Sequence, residues 1–216
     1  LIIGGSTDIG ISLAKKLVDT SNEVIITYNK HKVDIPYIDS YKCDIRYEDE
    51  IDKIIRIANE RFNNDYILIN MASISMDNSI LNKTKSEMMS VMEVNLVGTF
   101  LCNQIYSRYN SLGLIVNISS TDGIDTYSEY NIDYALSKNG IIKMSEILSH
   151  YIDNKIMCIC PNWILSDSTK SINKEYLNSE LLRIGQSRLI LIDELVDSMI
   201  SLIRKGYDER DNKNSE

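Results

Sequence analysis

The sequence predicts an α/β fold, a doubly wound parallel sheet of about six strands with helices on both faces, in one domain spanning residues 1–216. Two observations predict it. Short apolar runs alternate with amphipathic segments almost from end to end, the pattern of right-handed βαβ crossovers in a sheet covered on both sides. No repeat, low-complexity stretch or Pro/Gly-rich linker divides the 216 residues, a length that supports one sizeable core.

Leu1-Ile2-Ile3 reads as the first strand and runs into a glycine turn, after which Ile9, Leu13, Ala14, Leu17 and Val18 recur at helical spacing. Val24-Ile25-Ile26 reads as a second, buried strand and Tyr41-Lys42-Cys43 as a short third. Between them, residues 29–40 contain Pro36 and no helical period, so the crossover helix is reduced to a loop. Ile51, Ile54, Ile55, Ala58 and Phe62 mark the next helix, followed by the strand Tyr66-Ile67-Leu68-Ile69. A helix from about Ser86 to Arg108 precedes the strand Leu114-Ile115-Val116, and another from about Asp133 to Tyr151 precedes Ile156-Met157-Cys158-Ile159. Leu195, Val196, Met199, Ile200 and Ile203 mark the last helix. Residues from about 205 to 216 are almost wholly polar and read as a fraying tail.

A formal net charge of −8 argues against nucleic acid or an anionic membrane surface as the main partner. No stretch approaches the apolar length of a membrane span. Cys43, Cys102, Cys158 and Cys160 form no C-x-x-C, and no His cluster has metal spacing, so no metal site is expected and the thiols read as reduced core residues of a cytoplasmic protein. Cys158 and Cys160 share one face of a strand, a pattern read as packing. Leu1 lies inside an apolar run with no Met before it, so native residues are expected to precede it, and the glycine turn that follows does not fit a signal-peptide cleavage site. His31 and His150 have no neighbours that suggest catalysis.

Two segments carry chemistry. In Gly4-Gly5-Ser6-Thr7-Asp8-Ile9-Gly10, between the first strand and first helix, glycines permit tight turning and close backbone approach to a pyrophosphate at a helix N-terminus. In Tyr134-Ala135-Leu136-Ser137-Lys138, a phenol and an ammonium four residues apart share one helical face. A lysine cation beside a tyrosine favours phenolate and lowers its pKa toward the range useful for acid/base work. Tyr-x-x-x-Lys alone is common; here it follows the fifth strand and the serine turn Asn117-Ile118-Ser119-Ser120. Both turns would lie beyond the carboxyl ends of the strands, where ligands sit in open α/β sheets.

In order, spacing and context, these segments resemble the short-chain dehydrogenase/reductase family across nearly the whole chain. The first turn is similar to the family's T-G-x-x-x-G-x-G, with Ile3 and Asp8 in place of the usual Thr and middle Gly; Asp tolerates left-handed backbone there. The resemblance implies a Rossmann fold with strand order 3-2-1-4-5-6, whose usual seventh strand this sequence lacks. It implies Tyr134 as general acid toward a carbonyl, with Lys138 lowering its pKa and holding the nicotinamide ribose. Ser120 would hold the substrate oxygen, with Ser119 as the alternative, since the Ser120–Tyr134 interval is one residue longer than the family pattern. Asn95, in Val94-Asn95-Leu96-Val97-Gly98, would support a water-linked proton relay.

For the cofactor, the resemblance implies contacts from residues 4–10, from Asp44 and Ile45 beside the adenine, and from Asn70, Met71 and Ala72 along the adenosine. Pro161, Trp163, Ile164 and the hydroxyl of Ser166 would meet the carboxamide and phosphate, with Asn162 replacing the family's Gly. Tyr28 occupies the position where NAD-specific sites place a carboxylate, followed by Asn29 and Lys30, which favours NADP(H) over NAD(H). Residues from about 167 to 182 would cover the substrate. The expected activity is reduction of a ketone, small or carried as a 3-oxoacyl thioester on an acyl carrier, in a homodimer or homotetramer. The similarity to 3-oxoacyl-[acyl-carrier-protein] reductases lies in the segment around Asn95 and in Pro-x-Trp-Ile. The alternatives are an alcohol dehydrogenase acting on a small hydroxy compound and a non-catalytic nucleotide-binding scaffold.

Overall fold

Apolar strands too short to alternate faces are stable only when both sides are covered. That is the arrangement in the computed structural model, which describes residues 1–125, 128–170 and 172–214. Strands β1 (Ile2–Ile3), β2 (Ile25–Tyr28), β3 (Asp39–Lys42), β4 (Ile67–Asn70), β5 (Leu114–Ile118) and β6 (Lys155–Ile159) form one sheet in the order β3-β2-β1-β4-β5-β6. Every pairing is parallel, and Ile2 sits opposite both Ile26 and Ile69. The order and the parallel sheet match the expectation. So does the missing crossover helix: residues 29–38 form a loop whose one internal bridge joins Ile35 and Ile38.

The α-helices are α1 (Asp8–Asp19), α2 (Glu48–Phe62), α3 (Lys85–Met92), α4 (Thr99–Tyr109), α5 (Ile132–Tyr151), α6 (Asp167–Lys170), α7 (Lys174–Arg183) and α8 (Ile192–Asn214). On one face of the sheet, Ile51, Ile54, Ile55 and Ala58 of α2 pack with Cys102, Ile105 and Tyr106 of α4. On the other, Leu13 and Ala14 of α1 pack with Leu195, Val196, Met199 and Ile203 of α8. The periodic residues named from the sequence are therefore the ones that meet the sheet.

Two differences have physical causes. The helix expected from about Ser86 to Arg108 is interrupted by a π-helical segment, Glu93–Gly98, between α3 and α4. The interruption changes no apolar spacing that the sequence exposes, and π segments concentrate at functional sites. The polar tail does not fray at residue 205, since α8 continues to Asn214. Gly206 lets the helix close on β6, because a Cβ there would lie 2.2 Å from Met157 Sδ. Arg210, 9% exposed, stacks 3.9 Å from the Tyr207 ring centroid and reaches Asp65 at 3.3 Å. Polar composition there disguises a packed helical turn.

Candidate active site

The carboxyl ends of the strands open into a cleft of about 860 Å³ lined by Thr7, Asp8 and Ile9, by Ser119 through Asp122, by Tyr134 and Lys138, and by Pro161 through Ile164. Three loops and one helix thus meet where the sheet topology places a ligand.

The glycine turn is shaped for close backbone approach. Gly4 has φ +77°, and a Cβ on it would lie 2.5 Å from the Ala72 Cα. Its N–H donates to Thr27 Oγ1 at 2.9 Å, fixing the turn to β2. Thr7 caps α1, its hydroxyl accepting from the Gly10 N–H at 3.3 Å. The α1 N-terminus therefore faces the cleft. Asp8 and Asn162 keep negative φ, so neither adopts the left-handed backbone expected of a glycine replacement. Asp8 is instead the first residue of α1, and its Oδ2 accepts from the Asp167 N–H at 3.0 Å, joining the glycine turn to α6. Ser166 is likewise engaged locally, its N–H donating to Thr169 Oγ1 at 2.9 Å.

Along α5, Tyr134 and Lys138 share one face, with Lys138 Nζ 5.3 Å from the Tyr134 ring centroid. Lys138, 2% exposed, donates to the Ile118 carbonyl at 3.0 Å. The two serines divide their tasks. Ser119 is turned inward and donates to the Lys138 carbonyl at 2.7 Å. Ser120 lines the cleft together with Tyr134 and accepts from the Asp122 N–H at 3.1 Å. Thr121 ties this turn to the loop after β6, its N–H donating to the Pro161 carbonyl at 3.0 Å and its hydroxyl to Asn162 Oδ1 at 3.1 Å.

The electrostatics correct one expectation. Burial pushes the Tyr134 phenol above its ordinary value, the nearby Asp122 carboxylate adds to this, and the Ser120 hydrogen bond pulls it partly back. Burial also lowers the Lys138 ammonium, to about 8. Tyr134 therefore holds its phenolic proton at neutral pH.

Asn95, fully buried in the π segment, is committed to positioning. Its amide donates to the Ile74 carbonyl at 2.9 Å and to Ser137 Oγ at 3.0 Å, and its Oδ1 accepts from the Ile74 N–H at 2.8 Å. It fastens the segment after β4 to α5 one residue before Lys138. A second tether is a buried ion pair: Lys83 Nζ lies 3.0 Å from Asp133 Oδ2, both side chains almost without exposure, and Lys83 also donates to the Met76 carbonyl. Asp133 Oδ1 accepts from the Tyr134 N–H at 2.9 Å.

Some expected cofactor residues are turned elsewhere. The Asn70 side chain points into the sheet, its amide donating to Asn103 Oδ1 at 2.7 Å and Asn117 Oδ1 at 2.9 Å. Ile45 is 4% exposed and packs in the core against Gly98, so its side chain contacts protein. The Asp44 carboxylate is held by Arg46, whose Nη2 lies 2.5 Å away, and this hydrogen bond draws its pKa down. Met71 and Ser73 line the cleft, while Asn29 and Lys30 are exposed and Tyr28 half-buried at the end of β2. Sequence reasoning missed Asp122, Arg46 and the Lys83–Asp133 pair. The only signals were a carboxylate two residues after Ser120, a cation two after Asp44 and an acid directly before Tyr134.

Among the described residues no group of three or more His, Cys, Asp or Glu could hold a metal, and no helix is long and apolar enough to cross a membrane. A family model described as short chain dehydrogenase matches residues 1–177. Carbonyl reductase family member 4 of Xenopus laevis is 28% identical over 221 aligned positions, covering 95% of this chain and 91% of that protein. A 3-oxoacyl-[acyl-carrier-protein] reductase of Synechocystis is 23% identical, covering 81% of this chain and 77% of that protein. Among solved structures, a short-chain dehydrogenase/reductase from Serratia marcescens superposes with a TM-score of 0.83 at 20% identity, covering 95% and 91% of the two chains. An actinorhodin polyketide ketoreductase variant with NADPH gives 0.80 at 20% identity, covering 94% and 88%. With its family match, strand order and the cleft over its strand ends, the chain belongs to the short-chain dehydrogenase/reductase family.

Proposed function

We propose that the protein is an NADP(H)-dependent reductase of ketones, including 3-oxoacyl thioesters on an acyl carrier, with Tyr134, Lys138, Ser120 and Asn95 as its working residues. The observation that carries this reading is that Tyr134 and Ser120 line the cleft that also receives the glycine turn, with the buried Lys138 ammonium 5.3 Å from the Tyr134 ring centroid. The relatives named as 3-oxoacyl-[acyl-carrier-protein] and carbonyl reductases support the substrate class.

The dinucleotide fits the residues present. Gly4 lets the turn lie against Ala72, where a Cβ would clash at 2.5 Å, the α1 N-terminus opens on the cleft for a pyrophosphate, and the end of β2 carries Tyr28, Asn29 and Lys30 in place of an acid. When bound, the nicotinamide supplies the hydride. The protein does the rest. Ser120 and Tyr134 hold the substrate oxygen, Tyr134 gives its phenolic proton as negative charge develops there, and the Lys138 ammonium stabilises the resulting phenolate. Asn95 keeps α5 and the segment after β4 in register, and residues 167–182, which include Asp167 against Asp8, close over the substrate. Exposed Val97, Phe100, Leu136 and Ile147 on and beside α4 and α5 give an apolar face suited to a homodimer or homotetramer, and the four free thiols suit a cytoplasmic setting.

The test is nucleotide oxidation against a panel of small ketones and 3-oxoacyl thioesters. NADPH is expected to be preferred over NADH by at least about tenfold in kcat/KM, a difference of about 1.4 kcal/mol. Equal use of both nucleotides would overturn the cofactor assignment, and no turnover with any carbonyl would overturn the reductase. The pH profile follows from the two shifts. As pH rises through about 8, Lys138 loses its charge while the raised Tyr134 phenol still holds its proton. Reductive kcat/KM is therefore expected to be level from about pH 6 to about 8 and to fall above it. A profile level to pH 10 would remove Lys138's charge from the mechanism.

A further inference from the structure

The first N–H groups of an α-helix have no partner within the helix, so side chains, water or ligands hold them instead. At the start of α5 the residue placed to do so is Asn131, a favoured capping type, yet it makes no side-chain capping bond. The task falls inside the helix, to Asp133, whose Oδ1 accepts from the Tyr134 N–H at 2.9 Å. A carboxylate in this first turn also meets the positive end of the helix. The residue so held is the one that carries the phenol.

Asp133 is itself fixed from outside α5. It is fully buried, and its Oδ2 lies 3.0 Å from Lys83 Nζ, in the segment that runs from β4 to α3. Lys83 also donates to the Met76 carbonyl. Two backbone bonds join the same pair of segments: the Asn78 N–H donates to the Tyr130 carbonyl at 2.8 Å, and the Ile80 N–H to the Glu129 carbonyl at 2.9 Å. Ser75 and Asp77 from one segment and Tyr130 and Asn131 from the other line the cleft, while Lys83 and Asp133 stand behind them. A buried ion pair is a costly way to join two segments, since apolar residues of similar volume often do so with equal or greater stability. What apolar residues lack is an acceptor for the Tyr134 N–H.

We propose that Lys83 and Asp133 are positioning residues for the reaction: Lys83 fixes the Asp133 carboxylate, and that carboxylate fixes the first turn of α5 so that the Tyr134 hydroxyl meets the substrate oxygen. The effect falls on turnover, because displacing a reacting group by about 1 Å costs on the order of 100-fold in rate. This inference rests on the reading of Tyr134 as the acid of a carbonyl reductase.

Two double variants separate positioning from stability. Both lack the ion pair, but Lys83→Met with Asp133→Asn keeps an amide oxygen for the Tyr134 N–H, and Lys83→Met with Asp133→Leu does not. Ketone-reduction kinetics, NADPH fluorescence titration and thermal melts are measured on each beside the wild-type protein. The leucine variant is expected to lose at least about tenfold in kcat, with ketone KM and NADPH affinity within about threefold. The asparagine variant is expected to stay within about threefold of wild type in kcat. Equal kcat in the two variants, whether high or low, would overturn the positioning role, as would a loss confined to KM. If the leucine variant fails to fold, Lys83→Met with Asp133→Ala takes its place in the same comparison. A wild-type protein that reduces no ketone would overturn the reductase reading and this inference with it, whereas an active wild type beside an undiminished leucine variant would overturn the positioning pair alone.

Discussion

Tyr134→Phe is expected to lower carbonyl reduction by about 10²–10⁴-fold while leaving NADPH affinity within a few-fold, because it removes the one acidic proton aimed at the substrate oxygen and little else. The ring keeps its place on α5 and its 5.3 Å distance to the Lys138 ammonium. The ring that loses its hydroxyl lines the cleft with Ser120, so the defect should appear in kcat rather than in nucleotide binding. Steady-state kinetics and NADPH fluorescence titration separate the two. Unchanged turnover would sink the assignment of the acid.

Asp133→Ala is expected to cost about 3–5 kcal/mol of folding stability, the usual penalty for leaving the partner of a buried ion pair uncompensated. Lys83 would keep an ammonium at 4% side-chain exposure with only the Met76 carbonyl as acceptor, and the first turn of α5 would lose the carboxylate that holds the Tyr134 N–H. For a chain of this size the melting temperature should drop by about 10 °C. Lys83→Met combined with Asp133→Leu should recover much of that loss, since an apolar pair removes the orphaned charge. Urea denaturation of the single and double variants measures both effects. A single-variant loss under about 1 kcal/mol would show that the pair carries no weight.

What the sequence made legible follows from which interactions are local. The six strands and the helices that meet the sheet repeat at periods that a few adjacent residues reveal, as with Ile51, Ile54, Ile55 and Ala58. Tyr134 and Lys138 were equally readable, being one helical turn apart. The rest depends on residues distant in sequence. Lys83 and Asp133 are 50 positions apart and meet only once α5 is docked. Arg210 looks like tail until it reaches Asp65, 145 positions earlier. Ile45 follows an acid that reads as a ligand contact, yet its own side chain lies under Gly98 in the core. The direction of the Tyr134 shift was hidden for the same reason, since the sequence displays the lysine four residues on but not the burial and the Asp122 carboxylate that raise the phenol.

The π segment also makes one rod serve two partners. An α-helix turns 100° per residue, so one residue accommodated in a wider turn offsets everything beyond it by about that angle relative to a straight continuation. Ahead of Glu93–Gly98, α3 lies against α5; beyond it, α4 lies against α2 on the sheet. A regular helix presents one stripe and could satisfy only one of these neighbours along its length. Deleting one residue within Glu93–Gly98 would therefore let the rod close as a regular α-helix with both halves still seated, whereas forcing the full-length segment into α geometry would turn one half away from its partner like a misaligned gear.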